Sequence, residues 1–263
     1  MQLEFTSKYT WLHKINPSLK FIIVTLVFIA VLFVHNINVL INLVIGFLTL
    51  YVLYTGHPYK RLLFVSIPFI IIFISSITSM IFFGQGDTTW YKIGLIHITE
   101  ESFFRGLHVG IRGLLYALVG VLFALTTRPV MLFYSFMQQL KIKPKYAYSF
   151  MAAIRLVSIM IEELQILRYA LKVRGVKEAK GIKGMYQQIK AYFIPLLSQS
   201  IRRAHRIAVA MEAKRFTNYK RTYYYKVGYS MNDLIYIIYI CVIAFCSYYL
   251  AANFPYLSIQ DVR

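Results

Sequence analysis

Hydrophobic and polar positions are segregated along this chain in two different rhythms. Continuous apolar runs at 19–34, 37–54, 62–83, 104–127 and 234–252 each approach the roughly 20 residues that an α-helix needs to cross a bilayer. Between 128 and 226 the pattern changes to apolar residues every three or four positions, the period of an amphipathic helix. The pattern therefore predicts an all-α, polytopic membrane protein with about five transmembrane helices and a domain of three amphipathic helices. It divides as 1–127 for the first four spans, 128–226 for the amphipathic domain, and 227–263 for the last span and the C-terminus. His35 and Asn36 alone separate the first two runs, which predicts a tight helical hairpin. The first run follows Lys8 and Lys14 with no small-residue cleavage site after it, and reads as a retained span rather than a signal peptide.

Within the amphipathic stretch, Pro129 fits a helix start, and a short helix is predicted to Leu140, broken by Lys141-Ile142-Lys143-Pro144-Lys145. A long helix follows over 148–174, with Val157, Met160, Leu164, Leu167 and Leu171 on one stripe and Gly175 where a helix end favours positive φ. Positions 177–190 read as a Gly- and Lys-rich surface loop. A third helix is predicted over 190–216, with Pro195 in its first turns. Ile194, Leu197, Ile201, Ala204, Ala208 and Met211 line one side of it, and Arg202, Arg203 and Arg206 the other. In the fourth span, Arg105, His108 and Arg112 form a polar stripe, read as facing neighbouring helices or the headgroups. Gly106 and Gly110 form a GxxxG pair that marks close helix packing.

Charge sharpens this division. Hydrophobic residues make up 59% of the 263, yet Lys and Arg number 29 against 10 Asp and Glu. Between 128 and 226 lie 20 basic and 4 acidic residues, so +16 of the net +19 sits in the amphipathic stretch. Such an excess suits anionic lipid, nucleic acid or an acidic protein surface. Lys8, Lys14, Lys20, Lys60 and Arg61 mark one side of the membrane, which the positive-inside rule makes cytoplasmic. By alternation the basic stretch is cytoplasmic and the C-terminus outside.

Enzymatic chemistry finds little material. No Gly-x-x-x-x-Gly-Lys-Ser/Thr loop occurs, so the chain lacks the usual ATP-binding motif and any ATP is left to a partner. No His-Glu-x-x-His or Gly-x-Ser-x-Gly is present, His205 reads as solvated, and Glu162 and Glu163 point to different faces. Cys241 and Cys246 lie in an apolar run and suggest no disulfide framework. The expectation is a non-enzyme with no catalytic residue, no cofactor and no metal site.

At the ends of the two long amphipathic helices the chain resembles the transmembrane T component of energy-coupling-factor (ECF) transporters, the cobalt-transport membrane protein family. That family carries two short Ala-Arg-Gly-type motifs. The first is here Leu171-Lys172-Val173-Arg174-Gly175, with Val173 for Ala; the second is Ala210-Met211-Glu212-Ala213-Lys214-Arg215-Phe216, with Lys214 at the Arg position and Arg215 at the Gly position. Asn16-Pro17-Ser18-Leu19-Lys20 resembles the family's Pro-x-x-Lys lead into the first span, and Ile194-Pro195-Leu196-Leu197 and Arg203-Ala204 resemble the run before the second motif. The resemblance implies that Val173, Arg174, Gly175, Ala213, Lys214 and Arg215 dock ATPase subunits. It further implies two cytoplasmic ATPase subunits and a separate substrate-binding membrane subunit as partners, in a bacterial cell membrane, for uptake of a vitamin or metal. Thr10-Trp11-Leu12 and Arg221-Thr222-Tyr223-Tyr224 look most like T components of thiamine-precursor (hydroxymethylpyrimidine) systems. In this reading the lipid bilayer is a partner and nucleic acid is not. The competing reading is a membrane-anchored basic scaffold that binds anionic lipid or nucleic acid.

The orientation is open to test. A membrane-impermeant thiol reagent added outside is expected to label a cysteine placed at Gln260 and to miss one placed at Lys180; the opposite pattern would overturn the topology.

Overall fold

The computed structural model describes residues 9–84, 88–93, 96–175, 181–216 and 222–257. Lys177, Lys180, Arg221 and Gln260 lie outside them, and with them one residue of the thiamine-precursor likeness and both labelling positions. The helices are α1 (Pro17–Leu32), α2 (Ile37–Tyr54), α3 (Tyr59–Phe83), α4 (Glu100–Thr126), α5 (Pro129–Gln139), α6 (Pro144–Val173), α7 (Ile182–Ala213) and α8 (Met231–Asn253). The chain is all-α in character and divides into two compact units. One holds the residues up to Ser135 and from Val227 onward; the other is Phe136–Lys226.

Side chains at the helix starts explain where several helices begin. Asn16 accepts from the Ser18 N–H with Pro17 in the first turn, Asn36 accepts from the Asn38 N–H, and Thr99 accepts from the Ser102 N–H with Glu100 and Glu101 in the positive first turn of α4. Ser230 and Asp233 form a capping box at α8. By length and hydropathy, α2, α3, α4 and α8 can each cross a membrane. The apolar α1 has 16 residues, so it rises only about 24 Å against a hydrocarbon core of about 30 Å. The chain is a multi-pass membrane protein.

In the first unit α4 is central, packed against α1, α2 and α3, while α2 also packs on α8. Leu40, Phe47, Leu115, Leu122 and Tyr236 are fully buried there. Here the expected hairpin of the first two spans is corrected: despite the short link, α1 packs on α4. Polar contacts hold it there. Lys20 is buried and its Nζ donates to Leu12 O at 2.7 Å and to Thr126 Oγ1 at 3.1 Å, Tyr116 Oη–H donates to Phe28 O, and Arg112 Nη2 donates to Val34 O at 2.7 Å. Within a bilayer such groups must find protein partners, and they fix which helices touch. Arg112 thus faces a neighbouring backbone and His108 is buried beside it, in line with the expectation that this polar stripe faces neighbouring helices. Between α2 and α8, Asn42 Nδ2 donates to Ser247 O, and the Thr49 and Tyr239 hydroxyls meet at 2.8 Å.

The segment between α3 and α4 holds an antiparallel pair of strands, β1 (Thr89–Ile93) and β2 (Ile96–Thr99), that the hydropathy pattern did not reveal. In the second unit two helix starts are corrected. α5 ends at Gln139, as the expected break requires, but α6 starts at Pro144 and not at 148, because proline is pre-set for the first helical position. α7 starts at Ile182, so 182–190 is helix and not surface loop, and Pro195 sits well inside the helix. Pro195 is tolerated there although it removes a backbone donor.

Two of the α4 glycines, Gly106 and Gly110, serve close packing. A Cβ added at Gly110 would lie 2.6 Å from Ile77 Cγ1, and one at Gly106 would lie 3.2 Å from Ile77 O, whereas one at Gly113 meets nothing within 4 Å. Gly110→Val is therefore expected to lower stability by about 1–3 kcal/mol through overpacking against α3, whereas Gly113→Ala is expected to be neutral or stabilising by up to about 1 kcal/mol. Thermal unfolding in mild detergent measures both.

Candidate functional site

The six motif residues occupy the C-terminal ends of α6 and α7. Val173 and Ala213 are the last helical residues, Arg174 (φ −72°, ψ 2°) and Lys214 (φ −83°, ψ 14°) follow them, and Gly175 (φ +70°) and Arg215 (φ +52°) come next in the left-handed region. The two ends therefore share one geometry, which aligns Val173 with Ala213, Arg174 with Lys214, and Gly175 with Arg215.

A helix leaves its last four carbonyls without intrahelical donors, and a left-handed turn folds the following N–H groups back onto them. At α6, Arg174 N–H donates to Ala170 O and Gly175 N–H to Lys172 O, both at 3.1 Å. At α7, Lys214 N–H donates to Ala210 O at 3.1 Å, Arg215 N–H to Glu212 O at 2.8 Å, and Phe216 N–H to Met211 O at 2.9 Å. The last two bonds make a complete Schellman turn. Glycine occupies the left-handed position freely, whereas an arginine there costs about 1–2 kcal/mol. That cost is offset by the three backbone bonds and by Phe216, whose ring meets Tyr148 edge-on at 5.5 Å.

All six residues are exposed, Val173 at 87%. The cations at 174, 214 and 215 sit at the negative ends of two helix dipoles, an arrangement favoured by about 0.3–1 kcal/mol for an exposed charge. They point into solvent and are available to an anionic partner.

α6 and α7 run in opposite directions. Arg168 lies over the Tyr192 ring, Glu163 pairs with Arg203, and Tyr148 meets Phe216, so contacts climb one helix while they descend the other. Because Phe216 is held at Tyr148, the second motif lies beside the start of α6. The first motif lies some 26 residues along that helix, about 39 Å away. The structure therefore presents two exposed cationic ends at opposite ends of one helix pair.

The Glu163 pair also corrects an expectation, since the sequence pattern places Arg203 on the side of α7 opposite its apolar stripe. It lies at the α6 contact, while Ile194, Leu197 and Ile201 of the apolar stripe are exposed. The Tyr148–Phe216 contact, between residues 68 positions apart, has no signature that sequence reasoning can read.

Residues 8–225 match the cobalt transport protein family, CbiQ. The chain belongs to that family. It is 28% identical over 251 residues to the energy-coupling factor transporter transmembrane protein EcfT of Streptococcus thermophilus, covering 92% of this chain and 94% of the relative. To EcfT of Bacillus subtilis it is 27% identical over 250 residues, covering 91% and 94%, and to EcfT of Streptococcus equi 26% over 246 residues, covering 88% and 89%. The resemblance carried by the two short motifs thus extends over nearly the whole of this CbiQ-family chain.

The left-handed cap at Arg215 yields a stability test. Arg215→Gly is expected to stabilise by about 1 kcal/mol, or about 2–4 °C for a chain of this size. Gly175→Ala is expected to lower the melting temperature by a similar amount. Equal melting temperatures for parent and Arg215→Gly would contradict a left-handed Arg215.

Proposed function

We propose that the chain is the energy-coupling transmembrane subunit of an ECF-type transporter, and that its two cationic helix ends dock two cytoplasmic ATPase subunits. The observation that supports this reading is the duplication of one structure. Two helix ends close in the same left-handed turn, each exposes a cation at the same position, and α6 separates them by about 39 Å, a span suited to two separate sockets. In this reading Arg174 and Lys214 enter acidic grooves on the two ATPases, and Gly175 and Arg215 turn the chain out of the way. Closure of the ATPases on ATP then moves α6 and α7. Substrate is held by a separate membrane subunit, which that motion reorients. The N-terminus and both motifs face the cytoplasm, in accord with Lys60, Arg61 and the basic stretch. The cargo is a vitamin or metal ion, with a thiamine precursor favoured by Thr10-Trp11-Leu12.

Charge reversal tests the docking. Arg174→Glu, or Lys214→Glu with Arg215→Glu, is expected to weaken ATPase copurification by about 2–5 kcal/mol, the cost of removing one partner from a desolvated charge pair. Because both ends engage together, losing either also forfeits the avidity of the other. Reversal of Lys177 or Lys183, which lie outside both motifs and in the stretch the sequence pattern reads as a basic loop, is expected to cost under about 1 kcal/mol, the size of a solvent-screened charge contact. Should copurification survive the first set and fail with the second, diffuse attraction would carry the docking and the coupling assignment would fall.

A further inference from the structure

The chain passes between its two compact units twice, once from Ser135 to Phe136 within α5 and once from Lys226 to Val227 on its way to α8. On the first unit's side, a single buried side chain touches both passages. Asn16 Oδ1 accepts from the Ser135 hydroxyl at 2.8 Å, and Asn16 Nδ2 donates to Gly228 O at 3.3 Å. Ser135 is the last residue before the outgoing passage, and Gly228 follows the returning one by a single position.

Asn16 is itself held from two directions. Its backbone N–H donates to Asp233 Oδ1 at 2.7 Å, while Asp233 Oδ2 accepts from Ser230 N–H in the capping box of α8. Its Oδ1 also accepts from Ser18 N–H at 3.1 Å, capping α1, and the Ser18 and Ser135 hydroxyls are bonded to each other. Asn16, Ser18, Ser135 and Asp233 are each at most 3% exposed. A buried polar group without its partner costs free energy, so this cluster has few alternative arrangements. Within the second unit the same two strands are tied again, because Gln138 Nε2 donates to Tyr225 O at 2.6 Å.

We propose that Asn16 is a positioning residue for coupling: its side-chain amide clasps the outgoing and returning strands into one stem and fastens that stem to the starts of α1 and α8. Movement of the second unit then reaches both helices together instead of being absorbed where the chain passes between units. The proposal rests on the coupling function above for its purpose, although the clasp itself can be tested without it. An asparagine suits the task because one amide supplies an acceptor for two donors and a donor for a carbonyl. Serine retains the helix cap but is too short to span both strands.

The test is a pulsed electron–electron resonance distance measurement on the full chain in lipid nanodiscs. Nitroxides are carried at Lys60→Cys and Gln199→Cys, both exposed positions, in a Cys241→Ser, Cys246→Ser background. Asn16→Ser and Ser135→Ala are expected to broaden the distance distribution, raising the population of alternative arrangements by about fivefold, the effect of one net buried hydrogen bond. Asn36→Ala removes the equivalent cap from α2 without touching a passage, and is expected to leave the distribution as in the parent. Unchanged distributions in Asn16→Ser and Ser135→Ala, or equal broadening in Asn36→Ala, would overturn the clasp. Repeating the measurement with the ATPase pair and a non-hydrolysable ATP analogue separates the two ideas. Failure of the parent chain to bind the ATPases would sink the coupling function, while the nucleotide-free comparison still decides the clasp.

Discussion

A helix that ends in water must find donors for its last carbonyls, and α6 and α7 find them in the N–H groups of the cationic motif residues and of the residues that follow them. That requirement forces a left-handed residue directly after each cation, at Gly175 and at Arg215. It also fixes where each cation stands, at the negative end of the helix dipole and clear of the helix side. The rest of the second unit supports these two ends. The α6–α7 pair separates them, the Glu163–Arg203 ion pair ties the helices midway, and Tyr148 against Phe216 anchors the end that lacks glycine. Lys214 and Arg215 together look like two equivalent cations, but the backbone distinguishes them. Lys214 stands where Arg174 stands, and Arg215 does the work of a glycine at some cost.

The first unit answers a different constraint. In lipid no water satisfies a polar side chain, so Lys20, Asn42, Thr49, Arg112 and Tyr116 each bond to another part of the protein and thereby choose which helices are neighbours. The choice of α4 over α2 as the partner of α1 follows from those bonds. Near Asn16 the same logic gathers the starts of α1 and α8 and the two strands leading to the second unit into one buried cluster.

Much of this was legible in the sequence, because hydrophobic length and period depend on local residues alone. The bounds of α2 were read correctly from its apolar run, and the GxxxG pair of Gly106 and Gly110 does face α3. The end of α6 was legible too, since a glycine after a basic residue at the end of an amphipathic run has a local backbone meaning, whereas the end of α7, which has Arg215 in that place, was placed by its likeness to the family's second motif. What failed depended on distant partners. Arg203 reads as part of the face opposite the apolar stripe until Glu163, forty positions away, is placed beside it. The start of α7 reads as loop because Gly and Lys dominate there, yet Ile182, Met185, Tyr186 and Ile189 continue the helical period. The α1–α4 pairing joins residues 78 to 106 positions apart, and the Asn16 cluster requires the return of α8 after more than two hundred residues, which no local pattern encodes.

The central claim is that the ends of α6 and α7, and not the basic faces along them, meet the ATPases. Site-specific photo-crosslinking tests it most directly, with the crosslinker placed in turn at Val173, at Ala213 and, midway along α6, at Val157, in the chain assembled with its ATPase pair. The account predicts adducts to ATPase subunits from Val173 and Ala213 and none from Val157. ATPase adducts from Val157 with none from the two helix ends would contradict it.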